Sequence, residues 1–149
     1  MQAGEPVDEI FESFIGQLVE KAVPEWRTTL GALLSLPEIG GPVGYSGMTA
    51  IGIRLAVVEP RIAAAGFFAG GHVPRAQREE ARQVTIPLLF LLQWDDEGIP
   101  RQRALDLFDT LGTKEKTLHA NTGGHTGTPW FEVEDGDRFF ARHLRPHLA

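Results

Sequence analysis

The sequence predicts an α/β fold, a single domain over residues 1–149 with three αβα layers around a mostly parallel sheet. Three observations lead there. Short apolar runs alternate with segments whose apolar residues recur at three- and four-residue spacing. Glycine pairs and prolines separate the two kinds of segment. The residues able to do chemistry follow the apolar runs, where a parallel sheet gathers its binding groups.

Taken in order, Ile10, Phe11, Phe14, Ile15, Leu18 and Val19 predict an amphipathic helix behind an Asp8 N-cap. Pro24, suited to a first helical turn, predicts the start of a second helix carrying Trp26, Leu30, Leu33, Leu34 and Leu36 and stopping near Pro37. Gly40-Gly41-Pro42 is a turn, and Val43 to Tyr45 a short strand. Thr49 to Glu59 reads as a helix closed by Pro60, and Ile62 to Ala69 as a buried strand ended by Gly70-Gly71. A polar helix over Arg75 to Arg82 precedes a second buried strand, Ile86 to Gln93. Arg101 to Leu111 follows as a helix with Gly112 as its C-cap, then a strand from Lys116 to Ala120 and a last helix from Trp130 to Leu144.

Composition narrows the function classes. The chain has 149 residues, 42% of them hydrophobic, and no cysteine, which excludes disulfides, thiolate nucleophiles and cysteine-ligated metals. A formal charge of -6 with interspersed acids and bases argues against a nucleic-acid surface, which needs clustered cations. The longest apolar run, Ile86 to Leu92, is far short of the ~20 residues of a membrane span. No basic, then apolar, leader opens the chain, so the expectation is an unprocessed cytoplasmic protein without a membrane partner.

Three segments carry chemistry. Ser46 sits in Gly44-Tyr45-Ser46-Gly47-Met48 at a predicted strand-to-helix junction, with Gly44 two positions before it and Gly52 where the helix would press on the sheet. Asp96 follows the strand Ile86 to Gln93, with Asp95 and Glu97 as its rivals. His125 lies in the loop after the last strand, among Asn121, Thr122, Gly123, Gly124 and Gly127. An imidazole of ordinary pKa, about 6.5, suits proton transfer near neutral pH. A carboxylate behind it holds its tautomer and stabilises the imidazolium. His143 and His147 are separated by Pro146 and His119 lies within a strand, so no metal site is expected. His72, past Gly70-Gly71, is placed to line a pocket mouth.

Gly44-Tyr45-Ser46-Gly47-Met48, Ile86-Pro87-Leu88-Leu89-Phe90 through Asp96-Glu97-Gly98-Ile99-Pro100, and Gly123-Gly124-His125 together resemble the α/β-hydrolase superfamily. They look most like its dienelactone-hydrolase-like serine esterases, and the chain reads as the C-terminal portion of that fold. The resemblance implies Ser46 as nucleophile, Asp96 as acid and His125 as base, with the Gly47 N–H as an oxyanion donor and Tyr45 and His72 beside the site. It implies hydrolysis of a small ester, lactone or thioester through an acyl-enzyme, with no cofactor and no metal. Two departures stand out. Met48 takes the place of the second elbow glycine. The family's first strands and the loop giving its second oxyanion donor have no counterpart before Asp8, and losing one donor costs roughly 10²–10³ in turnover.

The truncated sheet would leave the strand Val43 to Tyr45 as an open edge, and a homodimer joining two chains along it is the expected cover. A partner chain with the missing half, or a truncated gene product, is the alternative. The competing functional reading is a non-catalytic interaction module that assembles through the same edge. A nucleotide site is weaker still, because no Gly-x-Gly-x-x-Gly or phosphate-loop lysine motif follows a strand.

Overall fold

A computed structural model describes residues 5–68 and 72–145. Its elements are α1 (Glu5–Leu34), β1 (Val43–Met48), α2 (Thr49–Val58), β2 (Ile62–Phe68), α3 (Arg75–Ala81), β3 (Leu88–Gln93), α4 (Arg101–Thr110), β4 (Lys116–Asn121) and α5 (Phe131–His143). The four strands form one parallel sheet in the order β1-β2-β3-β4.

Pleating sorts the strand side chains between two cores. Tyr45, Ala65, Phe67, Leu88, Phe90 and Leu92 pack with Ile15, Val19 and Val23 of α1, Ile51, Ile53 and Leu55 of α2 and Leu107 of α4. On the other face Ala64 and Leu89 meet Phe139, Phe140 and Leu144 at α5. Glycines make both contacts close. A Cβ on Gly52 would stand 2.4 Å from the Phe67 ring, and one on Gly44 would stand 2.7 Å from Phe140. The result is the expected three-layer αβα arrangement.

Several local expectations are corrected. α1 is one helix with Pro24 inside it, where two helices were expected. The stripe Ile15, Val19, Val23 continues into Leu30 at helical spacing, so packing along the whole length offsets the hydrogen bond the proline lacks. Asp8 consequently lies within the helix, and its Oδ2 pairs with Arg103 Nη2 at 3.2 Å instead of capping. β1 runs to Met48, beyond the expected Tyr45, because Ser46, Gly47 and Met48 stay in register with Gly66, Phe67 and Phe68. β3 starts at Leu88, not Ile86. Pro87 has no N–H to give a ladder, although its carbonyl accepts from Ala65 N. Gly112 does not cap α4; Leu111 does. A Cβ on Gly112 would lie 2.0 Å from the Arg82 carbonyl oxygen, so the glycine there admits a close backbone contact with the end of α3. Ala69, Gly70 and Gly71, expected to end β2, lie outside the described residues.

Candidate active site

The loop after β3 carries three consecutive acids, and each has a different task. Asp96 Oδ2 stands 2.7 Å from His125 Nδ1, while its Oδ1 accepts the N–H groups of Gly98 and Ile99 at 2.8 and 2.9 Å. Asp95 accepts from the Gly123 and Gly124 N–H groups, and Glu97 accepts from the His125 N–H at 3.0 Å. The sequence nominated Asp95 and Glu97 as rivals for the acid, but both are spent on the histidine loop's backbone. Gln93 adds a fourth tie, donating to the Gly124 carbonyl at 2.8 Å. That loop turns through Gly123 and Gly124, both at positive φ, with Gly127 packed on Gly123 too closely for any side chain.

The electrostatics suit a base. Burial raises the Asp96 carboxyl, but the hydrogen bonds from His125, Gly98 and Ile99 outweigh it and hold the group below its ordinary value. An ionised Asp96 fixes the proton on Nδ1 and leaves Nε2 bare to accept one. The Asp96 side chain is 3% exposed and that of His125 47%, so the pair reaches from the interior to the surface.

His125 stands on the wall of a cavity of about 680 Å³. Its apolar wall is Phe11 and Ile15 of α1, Met48 at the end of β1, Phe68 at the end of β2 and Ile99; Thr49, His72, Glu97 and Thr126 supply polar groups. His72 stands on this cavity wall, with Nε2 3.1 Å from the Gly98 carbonyl and its ring 4.6 Å from that of Phe11. The α1 wall and Thr49 were missed at the sequence level. Phe11 and Ile15 read only as helix core, although Thr49, the first residue of the expected helix, carried a signal of position.

Ser46 is not brought to this pair. It lies in the body of β1 opposite Gly66, no hydrogen bond joins it to His125, and it is absent from the cavity wall. Its Oγ would lie 3.8 Å from a Cβ on Gly66, whose other neighbour is Phe140, so the hydroxyl faces the α5 side. Gly47 is likewise inside the strand, opposite Phe67. Tyr45 points away from the cavity: buried between Trp26 and Phe67, it donates to the Met48 carbonyl at 2.9 Å, and burial pushes its hydroxyl up to about 12.

Among the described residues one group has metal-ligand character: His119, Glu132 and Asp135, whose ligand atoms lie within 4.8 Å of one another. Its members are already engaged. Buried Glu132 accepts from Asn121 at 2.6 Å and meets His119 Nδ1 at 2.7 Å, and Asp135 pairs with Arg138 at 2.6 Å. The trio ties α5 to β4. No helix among the described residues is long and apolar enough to cross a membrane.

No protein-family model matches the chain, and no curated protein does. Solved structures do. A cold-adapted esterase from an Arctic intertidal metagenomic library, bound to PEG, is 33% identical with a TM-score of 0.76 over 83% of this chain and 55% of that one. A zinc-bound structure of an esterase described in the same words is 31% identical with a TM-score of 0.76, over 85% of this chain and 60% of that one. The Pyrococcus furiosus esterase Pf2001 shares the fold at 11% identity, TM-score 0.73, over 84% of this chain and 63% of that one. The chain therefore spans less than two thirds of the length of these relatives. Over that span it carries an α/β-hydrolase-like esterase fold.

Proposed function

We propose that the chain hydrolyses small carboxylic esters, with lactones of the dienelactone kind and thioesters in the same class, using His125 as general base and Asp96 to orient it. The observation that carries this is the 2.7 Å contact between Asp96 Oδ2 and His125 Nδ1 on the wall of a largely apolar cavity. The esterase neighbours support the same reading. In it, Nε2 takes the proton from an attacking hydroxyl, the Asp96 carboxylate stabilises the imidazolium, and the same proton passes to the departing alcohol or thiol. Ester and one water enter, and carboxylic acid plus alcohol leave, through an acyl-enzyme that the water releases.

The sequence nominated Ser46 for the acyl group, and to serve it would have to come round from the α5 side of the sheet. That separation favours a second reading, a binding module that keeps the fold without turnover. Hydrolysis of p-nitrophenyl butyrate separates the two. His125→Ala and Asp96→Asn are each expected to lower turnover by on the order of 10²–10⁴. Rates equal to the parent's in both variants would sink catalysis and leave the module.

A further inference from the structure

We infer that the acyl-accepting hydroxyl of this chain is Thr49, with the amino terminus of α2 as the oxyanion site beside it; this rests on the hydrolase reading just proposed. Thr49 and Thr126 are the two hydroxyl-bearing residues on the wall of the cavity that His125 lines. Thr126 follows the base directly in its own loop, away from any helix terminus. Thr49 stands where β1 hands the chain to α2, at the carboxyl rim of a parallel sheet. Ser46 is three residues earlier, within β1 below that rim and outside the cavity.

The local bonding fits a nucleophile held ready. Thr49 Oγ1 donates to the Phe68 carbonyl at 3.1 Å, at the end of the neighbouring strand. In the step inferred here the hydroxyl gives up that acceptor for the imidazole, which lines the same cavity. α2 has ten residues, begins without a side-chain cap at Met48, and carries no acid in its first turn. Its first N–H groups are thus left without side-chain partners, at the positive end of the helix, and both Thr49 and Ala50 of that turn line the cavity. A developing oxyanion there meets donors that need no reorganisation.

The step balances. His125 Nε2 takes the Thr49 hydroxyl proton as Oγ1 bonds to the ester carbonyl carbon, whose π electrons move to oxygen. Collapse of that intermediate breaks the bond to the alcohol oxygen, which leaves with the proton from Nε2. Water, deprotonated by His125, then attacks the acyl-threonine, and the carboxylic acid departs as the proton returns to Oγ1. A secondary alcohol attacks more slowly than a primary one, so a serine at this position is expected to react at least as fast.

The test treats the full chain with a fluorophosphonate and maps the adduct by peptide mass spectrometry. The expected result is phosphonylation at Thr49, lost in Thr49→Val, retained or faster in Thr49→Ser, and unchanged in Ser46→Ala. An adduct on Ser46, parental labelling in Thr49→Val, or no adduct on the folded parent overturns the inference. Mapping the parent needs no variant, so a misfolded Thr49→Val does not blunt it. Loss of p-nitrophenyl butyrate hydrolysis in His125→Ala with Thr49→Val still active would remove Thr49 alone. Parental hydrolysis in His125→Ala would remove the base, and this inference with it.

Discussion

Glu59 shows what one carboxylate does for this chain. Its side chain is 1% exposed, and Arg61 approaches both oxygens, with Nε 2.7 Å from Oε1 and Nη2 2.7 Å from Oε2. Arg27 of α1 adds a bond to Oε2 at 3.2 Å, and Arg61 also donates to the Arg27 carbonyl, so the group fastens α1 to the end of α2. The Arg61 hydrogen bond, outweighing burial, holds the carboxyl at about 2 against an ordinary 4.5. A carboxyl depressed on folding stabilises the fold fully above its unfolded value, and the contribution is lost as pH falls through the folded one. Melting temperature is therefore expected to drop between about pH 4.5 and pH 2, and Glu59→Gln to flatten that part of the profile; calorimetry across that window checks it. The pairing of Asp96 with His125 was legible at this scale. Asp96 and His125 each follow a strongly apolar or glycine-marked segment, and position after a strand is what a parallel sheet converts into proximity. Ser46 was read at the strand-to-helix junction because its glycine neighbours suggest a turn, whereas Gly47 at φ 152° continues the strand, which ends three residues beyond Tyr45, at Met48.

Element boundaries were legible wherever periodicity and a breaker agreed. α2, α4 and α5 begin and end within a residue or so of the expectation, since Pro60, Pro100 and the Trp130-Phe131 junction each stop or start one pattern. α1 was not, because a local rule lost to a distant one: Pro24 is a good helix opener, but the apolar stripe it interrupts packs against α2 and β1 on both sides of it. Gly112 misled in a similar way. Its place after α4 suggests a cap, while the reason for a glycine there is the Arg82 carbonyl of another helix. Contacts between elements leave no mark on local pattern, and the α1 wall of the cavity was unreadable for the same reason.

At the scale of the molecule, β1 is one edge of the described sheet. An edge strand offers unpaired N–H and C=O groups to another chain. The homodimer proposed along β1 predicts a light-scattering mass of about 33 kDa at micromolar concentration, twice 16.4 kDa, and a stable species of one chain mass would rule it out.

The clamp between the two loops has a consequence for how the molecule comes together. Asp95, Asp96 and Glu97 grip the glycine loop largely through its main chain, so neither segment can be ordered while the other is loose. The Asp96–His125 pair then arises in one cooperative event, with no half-built stage in which an oriented imidazole waits for its carboxylate. Deuterium uptake at the amides of Gly123, Gly124 and His125 is expected to keep pace with that at Gly98 and Ile99; independent rates would show two loops fluctuating separately.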